Sequence, residues 1–389
     1  MDNKQLYLVP DYFFDFHCKM GACRNACCEG WPIGVSMKDY FMLLGADVSK
    51  ELRIRLDCAL HLTEHPTEDA YARIMPRYDG SCPMRMEDGR CGLHYELGEH
   101  ALSDVCRLYP RGVRTGETHE CSLANSCEAV VEALMNREEK ITFSRKEMDF
   151  GVKEAHKRVH QFENAGCETE IRMRLISIMQ DRDYTIPERL VLLANRMHLL
   201  DQAMKSRDFT RVHELIREDS KQDAPEMHPP THEGLMSGLD IAGKMLEVLD
   251  ERSESIRSYG KNALSFFGSG EHEYEMYIKA TEQFECALPD WQTWFEHLIV
   301  NHMFFSQFPF QDRPLDFEDE FLALVCVYML LRFLLLGNMG DDFTPVKAAD
   351  VASAVFRLVE HTEFESFSGK ILKHIGNESV ETAMRVLNL

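Results

Sequence analysis

The chain has 389 residues, with 43 basic and 65 acidic side chains and a formal net charge of −22. That length fits about two domains of about 100–200 residues each and can bury a large core without disulfides. The acidic balance, with no basic run or tail, argues against a nucleic-acid partner, because phosphate binding needs clustered Lys and Arg. A basic partner suits it better.

The opening segment, MDNKQLYLVPDYFFDF, has no basic stretch followed by an apolar one, so no secretory signal is expected and a cytoplasmic location is. Ten of the 13 cysteines fall in the first 127 residues. In a reducing compartment, clustered thiols point to metal binding or catalysis rather than to a disulfide framework.

Residues 1–135 are rich in Cys and Gly, with short apolar pieces broken by turns. Helices are predicted at about 36–45, where Ser36 can cap, and at 49–64. Asp79-Gly80 and Asp88-Gly89 predict turns on either side of Cys82, with Cys91 just beyond. From about residue 136 helical periodicity takes over. Leu190, Leu193, Ala194, Met197 and Leu200 form one helix face. Residues 220–233 are polar and contain Pro, which predicts a linker or exposed loop. Further helices are predicted at 236–256, 271–286, 290–305, 317–336, 346–361 and 378–388. Thr344-Pro345 supplies a cap and a first-turn proline. The apolar run from Phe321 to Leu331 has 11 residues before Arg332, short of the about 20 that span a bilayer, so it reads as a buried core helix. The expected fold is mainly α. A loop-rich, Cys-containing metal-cluster region (1–135) packs on an α-helical C-terminal body (136–389).

The cysteines fall into groups. Cys18-x4-Cys23-x3-Cys27-Cys28 is followed by Glu29-Gly30-Trp31. Cys82-Pro83 and Cys91 come next, then Cys106 in CRLYPR, which ends at Arg111, then Ser126-Cys127. Thiolates are soft anionic ligands suited to zinc or to iron–sulfur clusters, and four at tetrahedral corners satisfy either. Cys58, Cys167, Cys286 and Cys326 read as small buried hydrophobes.

This combination of cysteine spacings resembles the flagellin lysine-N-methylase family and, more distantly, the CxxCxxCC-type zinc- or iron-chelating proteins. PERLVLLA (Pro187 to Ala194) and FEHLIVNHMFFSQFPF (Phe295 to Phe310) are similar to the C-terminal half of that methylase family. The resemblance implies an S-adenosylmethionine-dependent enzyme that methylates flagellin lysines. It also implies a [4Fe-4S] cluster on N-terminal cysteines, with zinc as the alternative. The matching positions are Cys18, Cys23, Cys27, Cys28, Cys82, Cys91, Cys106 and Cys127, twice the number one cluster needs; Cys121 lies outside the pattern. A usual radical S-adenosylmethionine motif is C-x3-C-x2-C, whereas position 30 here is Gly and the third cysteine is Cys28.

Polar methyl transfer needs a neutral lysine amine, so the site must remove a proton from a group whose usual pKa is about 10.4. Aromatic or apolar walls favour the neutral form, and a Tyr, Asp or Glu could accept the proton. Arg111 could pair with the methyl donor's carboxylate through its planar fork, or form a structural ion pair. The alternative to an enzyme is a binding or redox-sensing protein stabilised by zinc or an iron–sulfur cluster.

Two weaker motifs are set aside. His61-x-x-Glu64-His65 fits an inverted zinc-peptidase signature, but Pro66 follows it and an exposed helix end explains it. Gly238-x4-Gly243-Lys244 resembles a phosphate loop, yet Met245 cannot ligate magnesium and no strand precedes it.

Overall fold

Strand β1 (Gln5–Pro10) is the axis of the first sheet. The computed structural model describes residues 4–30, 32–115, 118–151, 166–218, 231–250, 254–267, 272–311, 316–340 and 343–374. Trp31, positions 220–230 of the expected linker and the expected helix at 378–388 lie outside them.

β1 runs parallel to β6 (His119–Leu123) and antiparallel to β7 (Phe143–Met148), and β5 (Arg111–Arg114) pairs with β6, giving the order β5-β6-β1-β7. The β1–β7 register runs from Gln5 opposite Met148 to Pro10 opposite Phe143. This sheet therefore crosses the division expected near residue 135. A second sheet, in the order β2-β4-β3, joins β2 (Ile33–Val35), β3 (Leu60–Leu62) and β4 (Ala72–Ile74).

The helices account for most of the remainder. α1 (Met37–Gly45) starts as expected, with Ser36 Oγ accepting from the Asp39 amide at 3.1 Å. α2 (Lys50–Ala59) ends earlier than expected, because Leu60–Leu62 pairs with β4 and the expected helix through residue 64 becomes strand β3. His61 therefore lies on an exposed strand, so the two histidines of the peptidase-like run do not share a helix face. α3 (Gly92–Leu97), α4 (Asp104–Leu108) and α5 (Glu128–Met135) complete the N-terminal part.

The helical body follows with α6 (Glu168–Met179), α7 (Ile186–Lys205), α8 (Phe209–Arg217), α9 (His232–Asp250), α10 (Glu254–Phe267) and α11 (Glu273–Ala287). It ends with α12 (Trp291–Phe305), α13 (Phe317–Gly337), α14 (Pro345–His361) and α15 (Phe364–His374). Thr344 caps α14 as expected, its Oγ1 accepting from the Lys347 amide at 3.3 Å. Gly238, Gly243 and Lys244 lie within α9, and Lys244 pairs with Asp240 one turn earlier, so no phosphate loop forms. α13 is long and apolar enough to cross a membrane by composition alone, but its apolar stretch is wholly enclosed by protein. It is the central core helix.

Two separate hydrophobic cores form. The larger joins the first sheet, α5 and the helical body, from Tyr7 to Leu372. The smaller is built only from residues between Ile33 and Leu93, with Val35, Leu43, Leu56 and Ala72 at its centre. Cys167 and Cys326 are buried, as expected of small hydrophobes, whereas Cys58 and Cys286 are exposed on α2 and α11.

Candidate metal and substrate cavity

Seven of the eight pattern cysteines line one cavity of about 390 Å³: Cys18, Cys23, Cys27, Cys28, Cys82, Cys91 and Cys106. Side chains of the smaller core, among them Ile33, Leu43, Ile74 and Leu93, give it apolar walls. Arg85, Arg90, His94 and Tyr95 contribute the polar rim. Cys127 is absent from this wall. It precedes α5, where its thiol still senses Cys23 and Cys18.

Loops bring the thiols together, and identifiable contacts hold the loops. The Cys82 amide donates to the Cys28 carbonyl at 2.8 Å, so two distant cysteine segments lie side by side. Cys91 bridges Arg85 across the Asp88-Gly89 turn, where Asp88 Oδ1 accepts from the Arg90 amide at 3.1 Å. Gly21 and Gly89 have φ of +98° and +83°, and their backbones touch. A Cβ on Gly21 would lie 2.6 Å from the Gly89 carbonyl carbon, so this closure requires glycine.

The loop from Cys18 to Cys28 is anchored to the helices. Lys19 Nζ reaches Glu128 at 2.8 Å and Glu132 at 2.7 Å on α5. The Arg24 guanidinium bonds Glu132 at 2.6 Å and Asp350 on α14 at 2.8 Å. Glu128 also accepts the Asn25 amide at 2.8 Å. Arg357 on α14 donates to the carbonyls of Asn25 (3.3 Å) and Ala26 (2.8 Å). The helical body thus fixes the segment that carries Cys27 and Cys28.

The thiols differ in acidity. Burial raises Cys82 to about 12 and Cys106 to about 11, with neighbouring cysteines adding to the first. Burial likewise raises Cys127 to about 11, against the opening amides of α5. Cys27 donates a hydrogen bond to Cys28, which raises Cys27 and lowers Cys28 to about 6, with Arg85 assisting. Cys28 also senses Cys82, Cys91 and Cys106, which makes it the meeting point of the cavity thiols.

The donor set suits a soft metal centre, because these thiols line one partly apolar cleft, with Cys18, Cys27 and Cys106 exposed at it. Among the described residues, no three His, Cys, Asp or Glu side chains stand close enough to enclose an ion. Arg111 lies on β5 with its guanidinium 5.7 Å from the Phe16 ring centroid, away from the cavity wall. Cys121, outside the pattern, is buried on the same sheet.

Sequence reasoning passed over Tyr109, Ser126 and His361. Tyr109 lines the cavity, its Oη lies 3.1 Å from Ser126 Oγ, and Ser126 Oγ lies 2.7 Å from His361 Nε2. Tyr109 and Ser126 sit inside the cysteine motifs, but His361 comes 235 residues after Ser126 and no spacing pattern links them.

Fold and cavity define a mainly α-helical protein whose C-terminal helices hold a thiol-lined pocket. The family described as FliB lysine N-methylase C-terminal domain matches residues 172–389, more than half of the chain, and this protein belongs to it. The Lysine-N-methylases of Salmonella choleraesuis (strain SC-B67) and Salmonella typhimurium (strain LT2) are each 29% identical over 143 residues, 35% of this chain and 34% of theirs. The chain thus spans about a third of the length of these relatives. The Flagellar biosynthetic protein FliU of Salmonella muenchen is 27% identical over 128 residues, 33% of this chain and 75% of that protein. No solved structure matches.

Proposed function

We propose that this protein transfers methyl groups from S-adenosylmethionine to lysine side chains of flagellin, and that its N-terminal cysteines hold a [4Fe-4S] cluster. One observation carries the reading. The family-matched segment, through Asp350 and Arg357 of α14, holds the loop that presents Cys27 and Cys28 to the cavity. The names of the relatives support lysine methylation and a flagellar target. A cytoplasmic location goes with this reading.

The chain's own residues have definable tasks. Apolar walls at Ile33, Leu43, Ile74 and Leu93 lower the local polarity and favour the neutral amine of an entering lysine. Cys28, Cys82, Cys91 and Cys106 are the mutually sensing set best suited to hold the cluster. A cluster bound there would supply an iron–thiolate centre that fixes the loops and carries electrons. Arg111 remains the proposed partner for the donor carboxylate, which requires the donor to reach β5. The acidic chain, at −22, favours approach of a lysine-bearing surface.

Anaerobically purified protein tests the reading. The expected result is a brown protein absorbing near about 400 nm that binds S-adenosylmethionine in calorimetry and methylates flagellin. Cys82→Ser bleaches it, and Cys286→Ser, on the distant exposed face of α11, does not. A colourless protein with one zinc overturns the cluster. Absence of donor binding and of methyl transfer overturns the enzyme and leaves a metal-stabilised binding protein.

A further inference from the structure

A continuous hydrogen-bonded chain leads from the cavity to the surface. Tyr109 forms part of the cavity wall and is half-buried. Ser126, 1% exposed, bridges it at 3.1 Å to His361 at 2.7 Å. His361, the last residue of α14, is exposed, and its ring lies 6.0 Å from the Tyr109 ring. Glu360 is already occupied by the amides of Asn125 (3.3 Å) and Ser126 (3.0 Å). It therefore fixes the serine, and the imidazole at position 361 meets the hydroxyl. The inner end is a phenol at the cavity, and the outer end is a base in contact with water.

We propose that Tyr109, Ser126 and His361 form a proton exit that removes the proton a substrate lysine must lose before methyl transfer. The proposal rests on the methylase reading above. The lysine ammonium gives a proton to Tyr109 Oη as the Tyr109 hydroxyl proton passes to Ser126 Oγ. The Ser126 proton passes in turn to His361 Nε2. The freed nitrogen lone pair forms the N–CH3 bond as the S–CH3 bond of S-adenosylmethionine breaks, and that electron pair stays on sulfur. The His361 imidazolium then releases its proton to water. Each oxygen gains a proton as it loses one, so neither tyrosinate nor alkoxide is formed.

The surroundings suit these roles. Burial holds the Tyr109 phenol well above its ordinary value, so it serves as a conduit and not as the final base. Among the described residues, the groups facing His361 include Glu360 and Arg357 on its own helix, Tyr109 after α4, and the Ser126 hydroxyl before α5. Desolvation outweighs Glu360 and keeps His361 below its ordinary value, so the imidazole is neutral and Nε2 can accept. Tyr109 is the catalytic residue of the set, and Ser126 and His361 act through it.

The test uses the anaerobically purified full chain with S-adenosylmethionine and flagellin, from about pH 6 to 9. Tyr109→Phe and His361→Ala are expected to lower kcat about 100-fold with the donor KM unchanged. The deficit of His361→Ala should shrink as pH rises, and added imidazole should restore activity. Without any substrate, Ser126→Ala should move the His361 titration followed by NMR. Full kcat in both variants overturns the exit. So does a pH-independent loss without imidazole rescue, or an unmoved His361 titration. If the unmodified protein transfers no methyl group, the methylase reading itself fails and the exit falls with it. That outcome is read on the wild-type chain and is distinct from variant failure.

Discussion

Arg357 donates to the Ala26 carbonyl at 2.8 Å, across 331 residues of chain, and this bond ties α14 to the paired cysteines that follow. A charged donor on a backbone carbonyl is worth about 1.5–3 kcal/mol. Arg357→Met is expected to cost about 2 kcal/mol in urea unfolding. It should also speed alkylation of Cys27 and Cys28 in the native state more than that of Cys286, as read by mass spectrometry. Equal acceleration at all three thiols would mean global loosening, and α14 would not be the clamp.

The contact between Gly21 and Gly89 sets how closely the first cysteine loop approaches the Cys82–Cys91 turn. A Cβ on Gly89 would lie 2.3 Å from the Gly21 carbonyl oxygen, and the φ of +83° already disfavours any other residue. Gly89→Ala should therefore cost about 1–3 kcal/mol. It should also lower metal uptake, because Cys18 and Cys23 are pushed from Cys91. Gly45→Ala, where a Cβ meets nothing within 4 Å, is the control. If both variants load metal like the wild type, the close approach is unimportant to the cavity.

Glu296, at 0% exposure, receives Arg189 at 2.7 Å and Arg182 at 3.0 Å. Removing one member of a buried pair leaves an uncompensated charge, which costs about 3–5 kcal/mol. Glu296→Gln is expected to fall in that range in chemical denaturation. An isosteric Glu296→Gln that unfolds like the wild type would show that the two arginines reach water instead.

The helical body was legible because periodicity and caps agree locally. Thr344-Pro345 starts α14, and the run through Phe321 and Leu331 is the buried α13. The small sheets were not legible. Strands of three residues, such as Ile33–Val35 and Leu60–Leu62, are too short for alternation, and pairing with Ala72–Ile74 overrides the helical pattern through residue 64. The cysteine spacing pointed to a shared centre; seven of these cysteines line one cavity, while among the described residues no three such side chains stand close enough to hold an ion. Their surplus over one cluster was visible in the sequence, whereas the clamps from Asp350 and Arg357 were not. Contacts across more than 300 residues leave no local signature.

His302 provides a pH test of the body beneath the cavity. It is 1% exposed, with Nε2 3.1 Å from Glu365 and Nδ1 3.5 Å from Glu360, the carboxylate that also fixes Ser126. Desolvation alone would lower its pKa, but Glu365 and Glu360 overcome this and raise it to about 9 from 6.5. A raised folded pKa means that the charged imidazole stabilises the fold. The contribution is complete below about pH 6.5 and is lost as pH rises through about 9. The shift corresponds to about 3 kcal/mol. His297 is lowered by burial, so its contribution has the opposite sign and is lost as pH falls. Unfolding free energy should therefore decline from about pH 6.5 to 7.5, an interval in which thiols of the unfolded chain, with a usual pKa of about 8.5, are still mostly protonated. His302→Gln should flatten this decline and leave a lower, pH-insensitive stability over the same interval. A decline as steep in His302→Gln as in the wild type would assign it to other groups and remove His302 as the charged link between α12, α14 and α15.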